Sequence, residues 1–203
     1  SFFSIPPLTT SFYSLSLHDA LPIFLSVEGV KPAEGPSGQP DTALEFNGAG
    51  RVLYTVPWVP DDYSFSVWVM PLNVTTEKTQ QLVSFWCAGM DDPLRVYISA
   101  GKLAAAIEGG GGFHTPKVPV QADHWYHVVA VKSGTQLSLY LDGKQVAQTG
   151  VRGPVMTRAQ DFSLGANPHY MGDEYLIGRL ADFVWYGKAL TDEEITELAT
   201  RKP

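Results

Sequence analysis

One stretch constrains the fold more than any other: His124-Trp-Tyr-His-Val-Val-Ala-Val-Lys-Ser-Gly-Thr-Gln-Leu-Ser-Leu-Tyr-Leu-Asp-Gly-Lys-Gln-Val-Ala147. Trp125 to Val131 is an apolar run rich in β-branched and aromatic residues, broken by Ser133-Gly134-Thr135. Leu137, Leu139 and Leu141 then alternate with Ser138 and Tyr140, the period of a strand with one buried face. Asp142-Gly143 follows at once, and this dipeptide suits a type I′ hairpin turn, in which both central residues need positive φ. A two-residue loop predicts Leu139 opposite Val146 and Tyr140 opposite Gln145, carrying the leucine face across the hairpin. The stretch is a β-meander, and Trp125 is expected to fill the core of the sheet assembly.

The rest of the chain repeats the pattern. Tyr63, Phe65, Val67 and Val69 alternate with Ser64, Ser66, Trp68 and Met70 until Pro71 ends the run. Strands are predicted at 43–47 and 51–55 with a turn at Gly48-Ala49-Gly50, at 81–87, 94–99 and 102–108, and again at 162–165 and 179–186. One short helix closes the chain: Thr191 can cap it, Glu194 completes a capping box, and Leu190 can pack on Ile195 as a hydrophobic staple. About a dozen short strands with turn signals between them indicate a β-sandwich or barrel. With 203 residues, such a domain buries roughly 70% of its unfolded surface without staples.

The two ends of the N-terminal region read differently. Ser1 to Phe24 contain no Lys or Arg, so they lack the charged start of a secretory signal. Leu15-Ser-Leu-His-Asp-Ala-Leu-Pro-Ile23 resembles the translation of a common short-read sequencing adapter. Residues 1–24 are therefore expected to be a translated artefact of a metagenomic assembly, or else a disordered start, with the natural N-terminus and any signal peptide missing. Residues 25–41 carry Pro32, Gly35, Pro36, Gly38 and Pro40 and read as a linker, leaving 42–203 as the folded domain.

The string Trp125-Tyr-His-Val128, then Leu139-Tyr-Leu-Asp-Gly-Lys144, then Gly178-Arg-Leu-Ala-Asp182 and Ala189-Leu-Thr-Asp-Glu-Glu-Ile195 resembles the LamG-like jelly-roll domains of the concanavalin A-like lectin/glucanase superfamily, near laminin G and the pentraxins. Leu44-Glu-Phe-Asn-Gly48 resembles that family's opening strand. The resemblance implies an all-β jelly-roll sandwich of two antiparallel sheets with one short C-terminal helix. It leaves function open, because the fold hosts lectins, glycosidases and inert spacers.

Three functions stay in play: a non-catalytic recognition module for a glycan or protein in a larger extracellular or periplasmic protein, a glycoside hydrolase, and a structural spacer that touches only neighbouring domains of its parent chain. Hydrolysis needs two carboxylates flanking the scissile bond. Glu108 stands alone on its strand, and Asp61-Asp62, Asp91-Asp92 and Asp173-Glu174 read as solvated turn residues, so an enzyme is not expected. A net charge of −7 without long blocks argues against a nucleic-acid partner, and no apolar run is long enough to span a membrane. Cys87 reads as a small buried hydrophobe and His127 as a packed, hydrogen-bonded histidine. Ligand contacts are expected from aromatics and histidines in loops, namely Trp58, Phe113, His114, His169 and Tyr170. Relatives in the family hold Ca²⁺ at the sandwich rim, and the matching positions here are Asn47 and Asp182. With only one carboxylate between them, either no cofactor or one weakly bound Ca²⁺ is expected.

Overall fold

The computed structural model describes residues 22–86, 91–109, 111–155, 157–170 and 172–203. Cys87 and nearly all of the adapter-like segment lie outside them. Thirteen strands and one helix follow in order: β1 (Ile23–Ala33), β2 (Ala43–Thr55), β3 (Tyr63–Pro71), β4 (Gln80–Phe85), β5 (Arg95–Ser99), β6 (Lys102–Ile107), β7 (Phe113–His114), β8 (Val118–Pro119), β9 (Tyr126–Ser133), β10 (Gln136–Leu141), β11 (Lys144–Gly150), β12 (Asp161–Leu164), β13 (Ile177–Tyr186) and α1 (Asp192–Thr200).

Eleven of the thirteen strands pair antiparallel along one path, β11-β10-β9-β3-β13-β2-β12-β4-β5-β6-β7, while β1 pairs with β2 and β8 with β6. β2 is the fold line. Its first half pairs with β13, Leu44 opposite Leu180 to Asn47 opposite Ile177. Its second half pairs with β12, Val52 opposite Leu164 to Thr55 opposite Asp161. Strands from β11 to β13 form one sheet with the start of β2, and strands from β12 to β7 form the other with its end. The two inner faces share one core, in which Val67, Val128, Leu137 and Leu139 of the first sheet join Phe85, Val96, Ile98 and Leu103 of the second. This is the jelly-roll sandwich expected from the alternating strands.

The central meander forms as predicted, with two differences. Asp142 (φ 51°) and Gly143 (φ 81°) take the left-handed turn conformation, and Tyr140 pairs with Gln145. Leu139, however, pairs with Ala147 rather than Val146, because a β-bulge inserts one residue after Tyr140 is matched. The bulge turns Val146 out, 39% exposed, and lets Ala147 join the core beneath Leu139. Trp125 is the second difference. β9 begins at Tyr126, and Tyr126, Val128 and Ala130 face the core, so alternation sends Trp125 to the outer face. There it packs, half-buried, on Ala43, Trp68 and Ala181.

Alternation also explains the helix. Val129 and Val131 point away from the core and would meet water, but Leu190 and Ile195 cover them together with Tyr140. The capping box is present: the Thr191 hydroxyl accepts from Glu194 N, and Glu194 accepts from Thr191 N at 2.9 Å. Tyr140 donates to Asp192 at 2.8 Å, which fixes the helix start on β10.

The stretch read as a linker is largely strand. β1 pairs with β2 over nearly its full length, from Ile23 opposite Thr55 to Ala33 opposite Ala43. Its prolines do not prevent this, because Pro32 sits near the end of an edge strand, where a missing N–H costs no ladder bond. The predicted turn at Gly48-Ala49-Gly50 is likewise absorbed into β2.

A test of the core follows from the aromatic contacts. Phe162 stacks on Phe85 (4.7 Å between centroids) and on Tyr54 (5.2 Å), with Phe183 and Trp185 beside it. Phe162→Ala should cost about 3–5 kcal/mol in urea unfolding, and Trp125→Ala about 1–2 kcal/mol. Equal losses would place Trp125 in the core after all.

Candidate functional site

The outer face of the second sheet carries residues that alternation alone would leave in water. Pairing puts Gln81 beside Tyr97, Tyr97 beside Ala104, Ser84 beside Arg95, Arg95 beside Ala106, and Ser163 beside Ser84. Ser84, Ser163, Ala104 and Ala106 are nevertheless fully buried. Part of the cover comes from residues 166–168 and 174, which lie against this face. Ser84 donates to Asn167 Oδ1 (2.5 Å), Ser163 to the Ala166 carbonyl, and Arg51 to the Pro168 carbonyl (2.9 Å). The backbone N–H of Gln81 donates to the Glu174 carbonyl (3.2 Å). The small side chains of the floor make room for the loop and for a polar cluster.

That cluster has three carboxyl groups and one guanidinium. Glu174 Oε2 accepts from Gln81 Nε2 (2.6 Å), Asn167 Nδ2 (2.6 Å) and Arg95 Nη2 (3.2 Å). Arg95 Nη1 donates to Glu108 Oε1 at 2.9 Å. Asp92, 1% exposed, is hydrogen-bonded to Glu108. Burial and then the neighbouring Glu108 charge push the Asp92 carboxyl up to about 7, against the pull of Arg95. Near neutral pH Asp92 is therefore partly protonated and donates to Glu108. On the open side, the Arg95 guanidinium lies 5.8 Å from the Tyr97 ring centroid, and Tyr97 Oη lies 3.3 Å from His114 Nδ1. Three buried polar atoms of the cluster have no hydrogen-bond partner among the described residues: Gln81 Oε1, Asp92 Oδ1 and Arg95 Nε.

Of the residues expected to contact a ligand, His114 alone joins this cluster. Phe113, its neighbour on β7, points the other way and packs, half-buried, against the core. His169 Nε2 is 2.8 Å from Asp161 Oδ2, with its ring 6.1 Å from Trp86. Tyr170 beside it is 53% exposed. Asp161 pairs with Thr55, three residues before the exposed Trp58, and Gln160 Nε2 donates to the Pro57 carbonyl (2.6 Å). Trp58, His169 and Tyr170 thus lie toward the end of the sandwich where β2 finishes.

The acidic pairs are not all solvated turns. Asp92 is buried and Glu174 is clasped by three donors. Asp62 accepts from Gly134 N (2.7 Å) and lies 3.7 Å from the buried Lys132 ammonium, while Asp173 pairs with Lys78. Asn47 and Asp182 do not converge. Asn47 lies opposite Ile177 and Asp182 is five residues further along β13, about 16 Å at the strand rise. Asp182 sits in a β-bulge at positive φ, with burial raising its carboxyl. Among the described residues no group of three His, Cys, Asp or Glu side chains is placed to hold a metal ion. His127 is packed as expected: 2% exposed, its Nε2 2.9 Å from Ser66 Oγ, its ring 5.1 Å from Trp68, and held down to about 4 by burial.

Asp92 and His127 give opposite pH dependences. The folded state keeps the Asp92 proton that the unfolded chain loses near 4, so this stabilisation is present at low pH and is lost as pH rises through about 7. Folded His127 refuses the proton that the unfolded chain takes up near 6.5, so its contribution is present above that value and is lost as pH falls through about 4. Asp92→Asn should therefore make the melting temperature rise more steeply with pH between 5 and 7. A slope unchanged from the parent would mean that Asp92 carries no proton there.

Comparison with known proteins agrees with this architecture. A search of curated proteins by sequence found no match. Solved structures with the same fold include the receptor-binding domain of a botulinum neurotoxin C/D mosaic serotype (TM-score 0.67, 10% identity, covering 89% of this chain and 46% of that one). The botulinum neurotoxin type G receptor-binding domain is similar (TM-score 0.67, 11% identity, 88% and 46%). So is the serotype D binding domain (TM-score 0.65, 10% identity, 88% and 46%). This chain spans less than half the length of each. At such identities the likeness is one of fold. A laminin G family model matches residues 47–196, from the middle of β2 to α1. With that match over well more than half its length, the chain belongs to the concanavalin A-like lectin/glucanases superfamily.

Proposed function

We propose that this domain is a non-catalytic recognition module of a larger exported protein, binding a glycan or protein ligand across the open side of the Arg95 cluster. The observation that carries this reading is the trio of buried, unpartnered polar atoms, Gln81 Oε1, Asp92 Oδ1 and Arg95 Nε, beside the exposed His114. Buried polar groups are nearly always paired, and of the six unpartnered buried side-chain atoms among the described residues three gather in this cluster, which supports a site with a partner of its own. The exposed Trp58 and Tyr170, with His169, offer a second contact zone at the end of the same sheet. The neighbouring folds named above include receptor-binding domains, which fits a binding role without specifying a ligand.

Hydrolysis is the second reading, favoured by one observation. A carboxyl group kept protonated near neutral pH beside another carboxylate resembles a general acid and its partner. Against it, Glu108 is held by Arg95, Glu174 by three donors, and Asp92 is buried. None of the three is free to attack an anomeric carbon or to reach a leaving group.

Two measurements test these roles. The chain should be retained on arrayed glycans or on immobilised extracellular proteins, and His114→Ala should weaken retention roughly tenfold. Retention on neither surface would leave only the spacer role. β-Glucans, galactans and chitin should yield no reducing ends; turnover that disappears in Glu108→Gln would make the domain a hydrolase.

A further inference from the structure

We infer that Asn73 is a modification site, the acceptor of a glycan joined covalently to its side-chain amide. The inference rests on the exported setting proposed above, because the transfer happens only where activated oligosaccharides are supplied to a chain leaving the cell. The acceptor pattern is an asparagine followed two residues later by Ser or Thr, with any residue except proline between them. The chain has three asparagines, and two fail on sequence alone. Asn47-Gly48-Ala49 offers no hydroxyl, and Asn167-Pro168-His169 carries the excluded proline. Asn73-Val74-Thr75 meets the pattern in full.

The pattern alone is common, so its setting decides. Asn73 lies two residues past the end of β3, in the segment 72–79 that leads to β4. A surface connection of this kind can carry a bulky group without displacing a packed neighbour. The backbone there is anchored. Buried Gln80 donates from Nε2 to the Asn73 carbonyl at 2.7 Å and accepts from Ile177 N at 2.9 Å, tying the turn to β13. Ala100 N donates to the Thr76 carbonyl at 3.1 Å, which holds the same segment against the β5–β6 turn.

The side chain is oriented as well. Asn73 Oδ1 accepts from Thr75 N at 3.0 Å and from Thr75 Oγ1 at 3.1 Å, closing an Asx turn across the acceptor pattern. A backbone N–H can only donate, so its bond identifies the oxygen end of the amide. Asn73 Nδ2, the atom to be modified, makes no hydrogen bond among the described residues. Asn73 is half-buried and Thr75 exposed, so the amide stands at the surface.

The transfer is a substitution at carbon. Nδ2 forms a bond to the anomeric carbon of an oligosaccharide carried on a lipid diphosphate. The bond from that carbon to the diphosphate oxygen breaks, the diphosphate leaves with the electron pair, and the amide gives up one proton. Oδ1 keeps both bonds to Thr75, and Nδ2 had none to lose, so the product leaves the hydrogen bonds of the turn intact.

The test is secretion of the whole chain, behind a cleavable leader, from cells that glycosylate exported proteins on asparagine. Intact mass should show most of the secreted chain heavier by one glycan. An amidase that releases such glycans should remove the added mass and leave a carboxylate at position 73, located by peptide mapping. Asn73→Gln and Thr75→Ala should each abolish the added mass and Thr75→Ser should retain it, all three checked for folding by thermal melting. A secreted parent chain that melts as a folded domain and carries no glycan would overturn the inference. So would a glycan that persists in Asn73→Gln. Neither result touches the recognition role, which retention on arrayed glycans and proteins tests separately.

Discussion

Everything in this fold depends on β2 being one strand shared by two sheets. Its backbone pairs with β13 over its first half and with β12 over its second, so the two sheets cannot slide relative to each other without breaking ladder bonds. The crossing point lies at 48–50, where β1 rides close against the bend. A Cβ on Gly50 would sit 2.5 Å from the Gly29 carbonyl oxygen, and Gly29 itself holds φ near +62°. Two glycines facing each other let the backbones approach closely at the point where the β1–β2 register shifts. Phe46 on one side of the bend and Val52 and Tyr54 on the other then point into the same core.

What the sequence made legible follows from what periodicity encodes. A period of two identifies a strand and its buried face, so the faces of β3 and β10 were readable residue by residue, whereas Trp125, expected in the core, packs on the outer face. Capping chemistry is local, and Thr191 with Glu194 marked the helix start. Bulges, by contrast, leave no local mark. Val146 and Ala147 are both small apolar residues, and nothing in their order says which one turns inward. β1 was hidden for a different reason: prolines and glycines signal irregular chain, but an edge strand needs only half of its backbone groups paired, so it tolerates them.

The polar cluster was illegible because its members are far apart in the chain and its setting breaks the pattern. Arg95 and Glu108 lie on neighbouring strands, but Glu174 arrives from a loop 79 residues after Arg95. Reading acidic pairs as solvated assumes that an outward-facing residue meets water. Here residues 166–168 and 174 lie against that outward face, so Gln81 and Ser84 are as buried as the core residues between them. The one available signal was compositional: Ala104, Ala105 and Ala106 in succession give β6 an outer face too small to be an ordinary solvated surface.

Energetics separates this cluster from the other buried polar groups of the domain. Lys132 and His127 each solve a local packing problem: Lys132 donates to the Asp61 carbonyl at 2.5 Å, and His127 meets Ser66. These contacts meet Lys132, whereas His127 keeps its Nδ1 without a partner among the described residues. Arg95, Glu108, Glu174 and Asp92 are a different matter, because covering a sheet face needs no charge at all. An apolar layer of similar volume would serve as well or better, since charge pairs removed from water seldom recover their full hydration. The cluster also stops short of completion, leaving two oxygens and one N–H unpaired. A structural network selected only for stability would close those gaps or discard the charges. An incomplete network over a floor of small side chains, open on the side of His114, is what a surface needs if it is to hold its polar groups rigid before a ligand arrives.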